Sequence, residues 1–279
     1  MKCKVVGKLL LLVFAYYLTG CATGRGINEG QFNIYTYEDE KKLGEQLSQM
    51  VSKQVTFVED PVVNAYLDRV GQKLARVAPD PLFNYQFRLI KNRQVNAFTI
   101  SAGYVYVYTG LVDHAPYEAA FASVVGHEIG HNLARHVTER LSKQNLIGLA
   151  SAIIGGPGGQ AIDLFGGLGL LKFGRDEELE ADKLGVDLAY RANFNIQGAK
   201  AIFEVFKKLE GNKGTTPLLG DLLATHPKPQ DRIDRINKLI PNFKPKPSAV
   251  TDTASFRTFK TNVLKYNPPD LQKKTSSHS

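Results

Sequence analysis

The chain has 279 residues, 43% of them hydrophobic and 22% charged, enough to bury the core of one large domain or two small ones. Its formal charge is +8, with Lys2, Lys4 and Lys8 supplying three of the excess, but no basic-aromatic module accompanies it, which argues against nucleic acid as a partner. Cys3 and Cys21 are the only cysteines, so a disulfide framework and a thiolate metal site are excluded from the body of the chain.

Met1-Lys2-Cys3-Lys4 opens a basic segment, and Leu9 to Ala15 is an apolar run too short to span a membrane. Leu18-Thr19-Gly20-Cys21 follows, so residues 1–20 read as a signal peptide. Leu-Thr-Gly-Cys also resembles the bacterial lipoprotein lipobox, which implies acyl chains on Cys21 and stable anchoring in a membrane. Ala22 follows in place of the aspartate that in many lipoproteins signals inner-membrane retention, so the expected address is the periplasmic face of the outer membrane. Residues 21–34 read as a tether.

Thr36 is placed to cap a helix through about Lys53, with Leu43, Leu47 and Met50-Val51 at helical spacing. Asp60-Pro61 opens a second helix, striped by Val63, Tyr66-Leu67, Val70 and Leu74. Tyr85, Phe87 and Leu89 alternate with polar residues as a strand, and Asn96 to Tyr108 reads as a hairpin. If an edge of this sheet lies beside the active site, an extended peptide could pair with it through its backbone.

A long helix is expected from about Pro116 past Arg140. It contains His127-Glu128-Ile129-Gly130-His131. Residues four apart differ by about 40° around a helix, so the two imidazoles share a face and can ligate one Zn²⁺. Glu128 beside them is placed to take the proton of an attacking water. A second line from Phe121 to Leu141 makes the helix apolar around much of its circumference, hence buried. His136, about 140° around from His131, is expected to face away from the metal as a structural residue. Residues 145–173, rich in glycine with Asp163 and Lys172 the only charges, read as a lid over the cleft or a packing hairpin.

Arg175 to Gly185 begins another helix with acids in its first turn. Several of its carboxylates could complete a His₂Glu zinc site; Glu178 and Asp182 share one face, Glu180 another, and helical geometry leaves the choice open. His-Glu-Ile-Gly-His followed by Glu-Leu-Glu-Ala-Asp resembles the gluzincin metallopeptidases of the CAAX prenyl endopeptidase, HtpX and Oma type, most of all the periplasmic lipoprotein branch of BepA- and LoiP-like proteases. The resemblance covers about residues 35–240, the expected peptidase domain. It implies Glu178 as third ligand, Asp182 as the acceptor that orients a ligand histidine, and one zinc per chain. Arg175 matches too. The helical-repeat domain of the BepA-type proteins, with any partner role it has, is not carried over.

His226 in Thr225-His226-Pro227 is similar to the family pattern that brings a histidine close to the metal. It could close the site as a fourth ligand, or stabilise the oxyanion once substrate displaces it. Residues 241–279 read as a flexible tail, with Phe256, Phe259 and Leu264 able to form a short docking helix.

The expected fold is α+β, mainly helical, with a small sheet beside the zinc-binding helix. The expected function is a lipid-anchored zinc endopeptidase that degrades misfolded or misassembled envelope proteins at the inner leaflet of the outer membrane, with a possible link to the outer-membrane assembly machinery. A metal-stabilised chaperone-like assembly factor is the competing reading, and a peptidoglycan amidase a weaker one.

Overall fold

Capping chemistry sets the helix starts. The structure is a computed structural model that describes residues 27–28, 31–79, 83–153, 172–226 and 228–267, with side chains outside 145–153. Helix α1 (Tyr37–Gln54) begins at Thr36, whose hydroxyl accepts from the Asp39 N–H while the Asp39 carboxylate accepts from the Thr36 N–H. Helix α2 (Pro61–Ala75) begins at Asp60, which accepts from the Val62 and Val63 N–H groups; Pro61 stands where the helix needs no donor. The expected α2 stripe is buried, whereas Met50 of α1 is largely exposed.

Strands β1 (Gln86–Ile90), β2 (Ala97–Thr99) and β3 (Tyr104–Tyr108) form one sheet in the order β1-β3-β2. β2 and β3 are the antiparallel hairpin, and β1 runs parallel to β3 with Gln86 opposite Tyr104. The hairpin turn needs positive φ at Ala102 (65°) and Gly103 (85°), the second a natural place for glycine. The Gly103 N–H donates to Asn132 Oδ1 at 2.9 Å, which ties the turn to the helix below. β2 is therefore an edge strand beside that helix.

After α3 (Thr109–His114), helix α4 (Glu118–Leu133) crosses the interior, and all its residues are buried. It packs against α6 (Arg175–Arg191), α7 (Gln197–Glu210), α2 and β2. Short α8 (Gly220–Thr225) and amphipathic α9 (Pro229–Leu239) close the far side. The fold is thus mainly helical with a small sheet, as expected. Among the described residues, no helix is long and apolar enough to cross a membrane.

Two expectations need correction. The long helix does not run unbroken past Arg140: it ends at Leu133, and α5 (His136–Ile153) starts anew. Arg135 makes the break with φ of 57°, and it is held there by its side chain, which donates to Glu40 Oε1 at 2.8 Å and to the Tyr35 carbonyl at 2.7 Å. The second correction concerns the tail. Residues 241–267 pack onto the fold, and Thr253 caps α10 (Ala254–Leu264). Phe256, Phe259 and Val263 enter the main core beside Tyr66 and Phe121, while Leu264 stays exposed. The signal peptide, Cys21, most of the tether, the centre of the glycine-rich segment and residues 268–279 lie outside the described residues.

Candidate metal centre

His127 and His131 sit one turn apart on α4, with their Nε2 atoms facing each other at 3.0 Å. α6 crosses α4 closely and brings Glu178 to both: Oε2 lies 3.6 Å from His127 Nε2 and Oε1 lies 3.6 Å from His131 Nε2. His226, in the extended residue that ends α8, places Nδ1 2.6 Å from Glu178 Oε1. One donor atom from each of these four side chains lies within 4.8 Å of all the others, and all four residues are buried.

The donor set fits a zinc ion. Imidazole nitrogens and one carboxylate are the ligands zinc prefers. Glu178 is fully buried, and its Oε2 has no hydrogen-bond partner among the described residues. Arg232 Nη1 stands 3.7 Å from that oxygen, beyond hydrogen-bond reach, so a closer cation would still lower the cost of burying it. Burial alone would raise the Glu178 pKa, but His226 and Arg232 outweigh it and hold the carboxyl at about 2. Burial drives the His131 pKa well below the usual histidine value, with His127 beside it adding to the effect. A histidine kept neutral has its lone pair free for a metal.

Asp182, one turn after Glu178, places Oδ1 3.0 Å from His127 Nδ1, on the ring edge away from the donor cluster. Arg232 of α9 was missed in the sequence. Its guanidinium donates to both Asp182 oxygens, lies 2.9 Å from His127 Nδ1 and stacks over the Phe203 ring. Its signal was visible: Pro229, Arg232, Ile233 and Ile236 form the buried stripe of α9, with one charge in it. His136 is also closer than expected. The break at Arg135 turns its ring back behind His131, so that the two Nδ1 atoms are 2.9 Å apart. Phe173 stacks on the His131 ring at 4.0 Å between centroids. Arg175 is exposed at the start of α6.

Glu128 opens into a cleft that His127, His226 and Arg232 share with Asn96 and Ala97 of the β2 edge. Burial pushes its carboxyl above the ordinary glutamate pKa, with His127 and His226 pulling the other way. Most of the remaining lining is apolar, including Val124, Ile202, Phe203, Phe206 and Leu222, with Ser123 and Asp182 the polar exceptions. Asn96 is fully buried, yet neither its amide oxygen nor its nitrogen has a partner among the described residues. The cleft thus joins a base, two of the four metal donors (His127 and His226) and an unpaired amide at the start of β2.

Known proteins share this arrangement of sequence. The chain is 32% identical over 212 residues to a putative beta-barrel assembly-enhancing protease of Vibrio cholerae, covering 71% of this chain and 43% of that protein. It is 25% identical over 240 residues to the beta-barrel assembly-enhancing protease of Escherichia coli, covering 80% and 47%. With the mitochondrial metalloendopeptidase OMA1 of Schizosaccharomyces pombe it shares 26% over 257 residues, covering 87% and 73%. The chain spans less than half the length of the beta-barrel assembly-enhancing proteases it matches. The model of peptidase family M48 matches residues 61–240, the stretch that holds β2, the paired histidines, Glu178, His226 and Arg232, and the chain belongs to that family of metal-dependent peptidases.

Proposed function

We propose that the chain is a zinc-dependent endopeptidase of the bacterial envelope, anchored by lipid on Cys21 in the outer membrane and acting on misfolded or misassembled envelope proteins. The observation that carries this reading is Glu128, a buried carboxylate that lines the same cleft as His127 and His226, two of the four clustered donors. A scaffold would need ligands but no base. His127, His131 and Glu178 hold the ion, and Asp182 accepts from His127 Nδ1 to fix its ring. Zinc bound there supplies Lewis acidity toward the scissile carbonyl and the attacking water. Glu128 takes the proton of that water and returns it to the leaving amine, which its burial-raised basicity favours. The edge of β2 aligns the peptide, and the names of the relatives support clients of β-barrel type.

His226 serves as a fourth donor that keeps the resting site closed until substrate displaces it; its 2.6 Å contact with Glu178 supports this. His226→Ala then raises peptidase activity, and a collapse of activity would assign it to oxyanion stabilisation instead. The central test is cleavage of casein by wild type and Glu128→Gln, with bound zinc measured in both. The variant is expected to keep zinc and lose cleavage on the order of 10²- to 10⁴-fold. Equal cleavage by both overturns the mechanism. A zinc-loaded wild type that does not cut would favour the assembly-factor reading. Mass spectrometry of the mature N-terminus tests the anchor: an unmodified Cys21 removes it.

A further inference from the structure

Behind the candidate metal centre a chain of buried polar groups leads away from the cleft. His131 Nδ1 meets His136 Nδ1 at 2.9 Å, with the two rings inclined by 72°. His136 Nε2 then meets Glu180 Oε2 at 3.2 Å. Asn28, in the segment before α1, donates its amide to the same Glu180 oxygen at 3.2 Å and to the Ala134 carbonyl at 3.0 Å. Both histidines are fully buried, and Glu180 is 30% exposed.

We infer that His136 and Glu180 are positioning residues for His131: they fix the tautomer and ring angle with which it presents Nε2 to the metal, and Asn28 completes the relay. This rests on the reading of His131 as a ligand. The protons follow from the contacts. A histidine that ligates through Nε2 carries its proton on Nδ1, so His131 Nδ1 donates. His136 Nδ1 must then be the bare acceptor, which places the His136 proton on Nε2, and Glu180 accepts it. Each contact then joins one donor to one acceptor, and no alternative order of donors satisfies all three contacts while leaving the His131 Nε2 lone pair for a metal. His127 receives the same service from Asp182, so the two ligand histidines are oriented by different devices: a carboxylate directly for one, a second imidazole backed by a carboxylate for the other. His136 reaches its place only because the chain breaks at Arg135; on an unbroken helix it would point elsewhere.

The test is the zinc dissociation constant of the full chain, by competition with a chromophoric chelator, for wild type, His136→Leu, His136→Gln, Glu180→Ala and His131→Ala. His136→Leu is expected to weaken zinc binding about 10- to 100-fold. His136→Gln, whose amide can accept and donate in the same order, recovers most of that loss. Glu180→Ala alters a partly exposed side chain and folds even if His136→Leu does not; it weakens zinc severalfold and shifts the His136 ring nitrogens in long-range ¹H–¹⁵N spectra of the zinc-loaded protein. Zinc binding within twofold of wild type for both His136→Leu and Glu180→Ala, with His131→Ala unable to bind, overturns the relay and leaves the ligand set standing. Wild-type zinc binding by His131→Ala overturns the ligand reading itself, and the relay with it.

Discussion

Gly126 of α4 and Gly185 of α6 face each other where the two helices cross, and their missing side chains let the backbones touch. A Cβ on Gly185 would lie 2.8 Å from the His127 backbone nitrogen, and one on Gly126 would lie 3.1 Å from the Gly185 carbonyl oxygen. That approach is what brings Glu178 within 3.6 Å of both histidines. Gly185→Ala must push the helices apart against a packed interior, which costs about 1–3 kcal/mol. It should lower stability by that amount in urea unfolding and weaken zinc binding as well, because the third ligand moves with α6. A variant unchanged in both would show that the crossing does not set the site.

Arg232 and Asp182 make the second structural prediction. Both side chains are almost fully buried, and Arg232 together with His127 keeps the Asp182 carboxyl ionised, well below its usual pKa, despite burial. Arg232→Met leaves that carboxylate without its main partner, and breaking such a buried pair costs about 3–5 kcal/mol. Arg232→Lys should fall between, since an ammonium cannot grip both Asp182 oxygens in one plane. Urea unfolding of the metal-free proteins measures this without involving catalysis. A loss below about 1 kcal/mol for Arg232→Met would mean that Asp182 has other support.

What the sequence disclosed and what it hid follow from the range of the forces involved. Thr36, Asp60 and Pro61 act on their own helix ends, so α1 and α2 were legible to within a residue or two. The paired histidines were legible because four-residue spacing is a local property of a helix. The end of α4 was not: a left-handed Arg135 is paid for by Glu40 and Tyr35, about a hundred residues earlier, and no local signal announces them. His136 was misread for the same reason, since its direction was computed along a helix that stops before it. The segment 241–267 was read as mostly flexible because its composition is polar; Phe256 and Phe259 were legible as a docking helix, but Val263, not Leu264, completes its buried face. The choice of Glu178 over its neighbouring acids needed either the family resemblance or the crossing at Gly185.

Asn96 is the least comfortable side chain in the cleft. An amide buried with neither partner costs roughly 1–3 kcal/mol per unmet group in protein interiors. A peptide backbone offers one N–H and one C=O, which is the complement of that amide, and Asn96 immediately precedes the β2 edge. Asn96→Ala is expected to raise KM about tenfold for a peptide substrate, with kcat changed less, while thermal stability holds or rises because an unmet group is gone. Steady-state kinetics and a melting curve on one preparation suffice. A lower melting temperature with KM unchanged would assign Asn96 to the fold and not to the substrate.

The last prediction concerns α10, the docking helix that Phe256 and Phe259 suggest within a segment otherwise read as flexible. Phe256 is 1% exposed, and its ring centroid lies 5.8 Å from that of Phe121 on α4 and 6.3 Å from that of Tyr66 on α2. Phe259 stacks on Tyr66 at 4.4 Å, so α10 joins α2 to the back of α4. Removing the Phe256 ring leaves a cavity at that junction, and a change of this kind costs about 3–5 kcal/mol. Phe256→Ala should therefore destabilise the whole peptidase domain in a single cooperative transition, and Leu264→Ala, on an exposed position of the same helix, should leave it within about 0.5 kcal/mol. Zinc binding at low temperature should survive Phe256→Ala, because the ring packs behind α4 and touches none of the donors. A separate early transition for Phe256→Ala, with the main one unmoved, would show that α10 docks on a domain that is already complete.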